Sequence, residues 1–193
     1  SGNLSAGASV EVVVSLNSYA QDLVPGLYND QITFRNVSSG FDFPRNVNLN
    51  VILTLPWAVD QPDWIFTTGG NSEWYGQSNE TNDGTDAAKS GTITHNQQSW
   101  FETTVNGTGI LSFWWKVSSQ QSYDLLQFYV NESVKDSISG LVNWQQKSYT
   151  LNKDQSTLKW SYSKNGSVSS NSDSGWVDQI VWTPGHLVTF TTD

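Results

Sequence analysis

The residues of this chain best equipped for chemistry are clustered oxygen donors. The stretch N79-E-T-N-D-G-T-D86 sets Glu80, Asn82, Asp83 and Asp86 around one Gly. Calcium takes its ligands from such carboxylates, amides and loop carbonyls. The loop is not an EF-hand, because no Glu closes it at the twelfth position. A second carboxylate stands out for its setting. Asp178 lies between Val177 and Gln179 on an apolar strand, in alternation phase with Trp176, Ile180 and Trp182. That phase predicts a carboxylate aimed at the packed side, where an unpaired charge is costly. It needs a cation, a Lys or Arg, or several backbone N–H donors. The expectation is a structural calcium ion shared by Asp178, Asp83 and Asp86, with Asp60 or Asp63 joining them. A plain acidic turn is the competing account of the loop.

Other chemistries find little support. There is no Cys, and neither His95 nor His186 sits in a motif, so zinc does not fit. A nucleophilic triad needs a base within reach of Ser or Cys. The fragment S172-D-S-G175 resembles the nucleophile region of trypsin-like proteases, but lacks its flanking glycines and partners. A glycosidase needs only two spaced carboxylates, and no pair stands out among 18 Asp and Glu. The chain is therefore not expected to be an enzyme.

These residues must be positioned by strands. L111-S-F-W-W-K-V117, L126-Q-F-Y-V130, L158-K-W-S-Y162 and G175-W-V-D-Q-I-V-W182 alternate apolar and polar residues, the pattern of half-buried antiparallel strands. No comparable helical stripe is present. Alternation sends Leu111, Phe113, Trp115 and Val117 inward, with Leu126, Phe128, Val130, Leu158, Trp160 and Tyr162. It sends Trp114, Lys116, Gln127 and Tyr129 outward. Flat rings beside amide, hydroxyl and ammonium groups suit a sugar, so these four form the candidate ligand surface. A loop folded over them, making a second small core, is the alternative. Trp64, Trp74, Tyr75 and Trp144 read as loop-borne.

Ten Trp, no Cys and 36% hydrophobic residues in a 193-residue chain describe a folded protein with a substantial core. The net charge is −9, a surface that repels phosphate backbones and excludes nucleic acid as a partner. No apolar run is long enough for a membrane-spanning helix. Only 14% of residues are charged, so Asn, Ser, Thr and Gln must cover the surface. Six N-x-S/T sequons fall within that composition and read as chance. The polar, Cys-free make-up fits a bacterial extracellular protein.

Turn signals divide the chain near T-L-P-W, residues 54–57. The expected domains are 1–54, 55–185 and a tail, 186–193. The first contains three strand-like runs, 9–16, 28–35 and 45–53. Its pattern L-x-A-G-x-S-x-x-V-x-V-S-L-N, L-x-x-G-x-Y-x-x-x-I-T-F-x-N and R-x-V-x-L-x-V resembles the second half of a bacterial immunoglobulin-like repeat. The resemblance implies a spacer whose upstream strands are missing, so a partial sandwich is expected, attached to further domains of a longer polypeptide.

In the second, D83-G-T-D-A-A-K-S-G91, S99-W-F-E-T-T-V105, L111-S-F-W-W-K-V-S118, Y123-D-L-L-Q-F-Y-V130 and G175-W-V-D-Q-I180 resemble the MAM and cleaved-adhesin group of jelly-roll domains. That implies an antiparallel β-sandwich and strengthens the expectation of calcium beside the last-strand Asp178. The whole is expected to be all-β. The leading function is a non-catalytic extracellular binding module for a polysaccharide or surface glycoprotein. The alternatives are an accessory domain of a secreted hydrolase, most naturally a peptidase, and a structural link of an adhesin stalk.

Overall fold

The computed structural model describes residue 5 and residues 7–185. The expected tail and His186 lie outside the described residues. The chain divides into two compact units, 1–52 and 53–193, close to the boundary expected at 54/55.

Among the described residues, the strands of the first unit form one hairpin. β1 (Gly26–Arg35) pairs antiparallel with β2 (Asp42–Val51) over ten positions. Their connection turns on Asn36, whose Oδ1 accepts from the Ser38 and Ser39 N–H groups, and on Gly40 at φ 74°. The expected first strand, 9–16, is not formed. Val10, Val12, Val13, Val14 and Leu16 of that run are all exposed. A strand exists only through its ladder, and this run has no ladder partner among the described residues. A two-stranded hairpin alone is marginal in water.

The second unit is an all-β sandwich. Ten strands follow: β3 (Thr67–Gly70), β4 (Tyr75–Gln77), β5 (Ala87–Lys89), β6 (Gln98–Asn106), β7 (Gly109–Ser118), β8 (Leu125–Val130), β9 (Ser133–Ser139), β10 (Leu141–Leu151), β11 (Gln155–Ser163) and β12 (Ser174–Pro184). They form two antiparallel sheets, ordered β10-β7-β12-β5-β4 and β3-β6-β11-β8-β9. Two 3-10 turns, at Ser18–Asp22 and Trp57–Val59, are the only helical segments among the described residues.

The core lies between the sheets. Every residue placed inward by alternation in β7, β8 and β11 is buried. Trp160 is its hub: Phe101 stacks on it at 4.8 Å, with Phe128 at 5.0 Å and Phe113 edge-on at 5.2 Å. Each such side chain contributes about 1.5–3 kcal/mol by leaving water. Trp74 belongs to this core, and Tyr75 and Trp144 lie in β4 and β10. Of the four aromatics expected on loops, Trp64 and Trp74 lie outside regular elements, Trp64 partly exposed and Trp74 buried.

β12 is central to its sheet and carries a bulge between Asp178 and Val181. Val177 and Ile180 both enter the core, which strict alternation forbids. The bulge absorbs the extra residue, with Gln179 at φ 49°. The expected common phase of Asp178, Ile180 and Trp182 is therefore corrected. Asp178 shares the outer face with Trp176, while Ile180 faces the core and Trp182 packs against it.

At the other end of the sandwich, Lys164 bridges two carboxylates. Its Nζ lies 3.1 Å from Asp124 Oδ2 and 2.6 Å from Asp173 Oδ1, and the Lys164 and Asp124 side chains are fully buried. The Asn165 N–H donates to Asp124 Oδ1. Breaking a buried pair leaves an uncompensated charge. Lys164→Met is expected to destabilise the sandwich by about 3–5 kcal/mol in denaturant titration. The double change Lys164→Met, Asp124→Asn should recover part of that loss. A single variant as stable as the parent would contradict the assigned role.

Candidate functional site: an acidic cluster and two sheet faces

The acidic cluster assembles where three segments meet the β12 bulge. Asp60 follows the 3-10 turn Trp57–Val59 in the left-handed conformation, at φ 62°. Asp83 sits in the loop after β4, where its Oδ1 accepts from the Thr85 N–H and Gly84 turns the chain at φ 91°. Gln77 holds that loop, donating to the Glu80 carbonyl and accepting from the Glu80 N–H. Asp178 comes from β12 and is 1% exposed. The carboxylate oxygens of Asp60, Asp83 and Asp178 lie within 4.8 Å of one another. Asp86, expected as a ligand, lies outside this set and only feels the charges of Asp60 and Asp83. Asp63 is outside the set as well.

Three side-chain bonds lock this region. The Asn82 N–H donates to Asp178 Oδ2 at 2.8 Å, and Asn82 Nδ2 donates to Gln179 Oε1 at 2.6 Å. Gln61 Nε2 donates to the Ile180 carbonyl at 2.6 Å. Of the compensations expected for Asp178, the backbone N–H donor is thus present. A basic partner is not: among the described residues, no Lys or Arg pairs with Asp60, Asp83 or Asp178. Lys116, nearby on the same sheet face, is engaged by Glu80 at 2.8 Å.

The electrostatics follow from that shortage. Burial pushes Asp178 up to about 6; the Asn82 N–H opposes the rise, and the charges of Asp83 and Asp60 add to it. Asp86 is pushed up to about 6 by burial and then by Asp60 and Asp83. Asp60 rises through burial and the charge of Asp83. Several anionic oxygens held together without a counter-charge form a donor set that fits a hard divalent cation. A cation there would reverse the cost of ionising them.

The expected ligand surface is not one surface. Trp114 and Lys116 lie on the outer face of the β10-β7-β12-β5-β4 sheet. Trp114 is half-buried, opposite Asp178 on β12 and Gln146 on β10. The loop carrying Glu80 and Asn82 bonds to this face through Lys116 and Asp178. Tyr129 and Gln127 lie on the outer face of the other sheet. The sandwich core separates the pairs, because alternation within a strand cannot tell which sheet the strand joins.

The Tyr129 face has a fuller composition than the sequence suggested. The Tyr129 hydroxyl donates to Gln127 Oε1 at 2.9 Å, and burial pushes that phenol up, keeping it a neutral donor. Across the strands, Tyr129 stands opposite Lys159, and Lys159 opposite Glu102. The Lys159 ammonium lies 4.1 Å from the Trp100 ring centroid and 3.8 Å from Glu102 Oε2. A Cβ on Gly69 would come within 2.6 Å of the Trp100 ring, so the indole rests on bare backbone. Trp100, Glu102 and Lys159 were missed as site residues. The alternation of S99-W-F-E-T-T-V105 carries the signal for the first two, once Phe101 and Thr103 are set inward.

No protein-family model and no curated protein matches the chain. Among solved structures, a secreted serine protease from Vibrio cholerae is similar at a TM-score of 0.50 and 11% identity. It covers 80% of this chain, which spans 33% of the protease. The first cleaved adhesin domain of Lys-gingipain from Porphyromonas gingivalis is similar at 0.48 and 12% identity, over 64% of this chain and 95% of the domain. A carbohydrate-binding module of the β-sandwich superfamily is similar at 0.47 and 14% identity, over 83% and 75%. At these identities the likeness is one of fold.

The cluster predicts a calcium response with a defined pH sign. A raised carboxylate pKa means that the folded state holds its proton more tightly than the unfolded chain. Without metal, the ionised Asp178 and Asp86 therefore weaken the fold. That loss is absent below the ordinary value of 3.8, grows as pH rises, and is complete above about 6. At pH 7, calcium at a hundredfold over its dissociation constant should raise the melting temperature by about 5–10 °C over excess chelator. The gap should close below about pH 4, near the ordinary carboxylate value. Asp178→Asn should abolish the response and melt no lower than the parent in chelator. Equal melting with calcium and chelator at pH 7 would reject the ion.

Proposed function

We propose that the second unit is a non-catalytic extracellular binding module for a polysaccharide or the glycan of a surface glycoprotein. The observation that carries this reading is the outer face of the β3-β6-β11-β8-β9 sheet. It presents Trp100 and Tyr129 among Gln127, Glu102 and Lys159, on adjacent strands in register. Aromatic faces accept the apolar side of a sugar ring, and the amide, carboxylate and ammonium groups meet its hydroxyls. A rigid sheet holds them in place without a closing loop.

In this reading the calcium ion is structural. It would tie the loop of Glu80–Asp86 and the turn at Asp60 to β12, on the sheet face away from the ligand. The first unit acts as an immunoglobulin-like spacer joining the module to further domains of a secreted or surface-attached bacterial polypeptide. Among the described residues, no helix is long and apolar enough to cross a membrane. A second reading, an accessory domain of a secreted hydrolase, has in its favour the fold shared with one third of a secreted protease.

The two outer faces make opposite predictions. Tyr129→Ala should weaken binding to an immobilised polysaccharide roughly tenfold or more, about 1.4 kcal/mol, with little change in melting. Trp114→Ala should leave binding unchanged, because its face is engaged by the acidic loop. Loss of binding in Trp114→Ala alone would move the site to the other sheet and refute the assignment.

A further inference from the structure

The outer face of β6 runs on into a groove that the sequence did not suggest. β3 pairs with β6 only from Thr67 opposite Glu102 to Gly70 opposite Ser99. Beyond Glu102 the edge of β6 has no strand partner on that side among the described residues. The segment before β3 stays near through one bond, Thr103 Oγ1 donating to the Ile65 carbonyl at 2.9 Å. The space between them has a volume of about 530 Å³, within the roughly 300–1,000 Å³ of small-molecule sites. It is open to solvent.

Its lining is the mixture that sugars need. Trp64 and Trp182 supply two indoles, Asp63 and Glu102 two carboxylates, and Thr104 and Asn106 a hydroxyl and an amide. Trp182 owes its place to the β12 bulge. A Cβ on Gly109 would come within 2.6 Å of its ring, so the indole lies against bare backbone and is held in orientation. Asn106 is held from behind, its Oδ1 accepting from Gln155 Nε2 at 3.1 Å. Among the described residues, no Lys or Arg lines the groove. Two carboxylates, against the one Lys159 ammonium 3.8 Å from Glu102 at the groove's edge, leave it net negative and disfavour phosphate, sulfate and uronate groups. They accept hydrogen bonds from neutral hydroxyls.

We propose that this groove holds one end of a neutral oligosaccharide, whose continuation crosses Glu102 and Lys159 to Tyr129. The proposal rests on the reading of the module as glycan-binding and names its terminal subsite. An extended peptide adding to the β6 edge is the other class of occupant. It would find only residues 103–106 free, too short a ladder to bind through main-chain bonds.

The test is calorimetric titration of the full chain with a panel of neutral gluco-, galacto-, manno- and xylo-oligosaccharides, each beside a uronate-bearing counterpart. Thr104 is exposed, so Thr104→Arg fills the groove without touching the core. A neutral oligosaccharide should bind, its uronate counterpart should bind roughly tenfold more weakly, and Thr104→Arg should lose roughly tenfold, with unchanged melting. Trp64→Ala should lose as much, and shortening the ligand should cost the parent more than it costs Thr104→Arg. If Thr104→Arg binds like the parent while Tyr129→Ala does not, the groove is overturned and the sheet-face reading stands. If only uronate-bearing members bind, the groove is overturned and the glycan-binding reading stands; if no member of either kind binds, both are overturned. Binding of a basic or extended peptide that Thr104→Arg blocks, without glycan binding, also overturns the proposal.

Discussion

The bulge in β12 is the constraint on which the rest of the second unit depends. β12 lies in the middle of its sheet, so a phase change within it cannot be absorbed at an edge. Val177 and Ile180 are both fully buried, and only the extra residue at Gln179 makes that possible. The left-handed backbone of a non-Gly residue costs on the order of 1–2 kcal/mol. Burial of Ile180 offsets it, as do the bonds from Asn82 and Gln61 to the bulged segment. Two consequences follow from one backbone event. Asp178 is turned outward to meet Asp60 and Asp83, and Trp182 is turned inward to wall the groove beside β6.

The two outer faces of the sandwich thereby take on different tasks. One is tied down. Glu80 and Asn82 of the loop before β5 bond to Lys116 and Asp178, and Trp176 lies buried between Lys89 and Lys116. This face also gathers the carboxylates of Asp60, Asp83 and Asp178, with no Lys or Arg paired to them among the described residues. The other is open, and its groups engage one another: Tyr129 with Gln127 along β8, and Lys159 with Trp100 and Glu102 across the strands. Such pairs are weak at the surface, so a ligand can replace them at little cost. In the proposed reading, recognition falls to the open face, and the loop-covered face is free to be held rigid.

Much of the fold was legible in the sequence, and the reasons are physical. The inward sets of β7, β8 and β11 follow from period-2 alternation, which burial enforces residue by residue. The acidic loop and Asp178 could be linked because an Asp on an apolar strand demands compensation. What could not be read has equally specific causes. A bulge whose left-handed residue is Gln carries no compositional mark, so Ile180 and Trp182 were assigned the phase of Asp178. Sheet membership is a long-range property, so Trp114 and Tyr129 read as neighbours when the core lies between them. The run 9–16 has strand composition without a strand, because pairing decides strands and composition does not. The Lys164 network joins residues 40 positions apart or more at its Asp124 end, beyond any local pattern.

The central claim is that recognition belongs to the β3-β6-β11-β8-β9 face and its groove. Backbone and indole amide shifts of the full chain, followed by NMR during titration with a neutral oligosaccharide, test it most directly. The account predicts shifts concentrated at Trp100, Glu102, Thr104, Lys159, Tyr129, Trp64 and Trp182, with Trp114, Lys116 and Trp176 unmoved. Shifts centred on Trp114 and Asp178, with the β6 face silent, would contradict it.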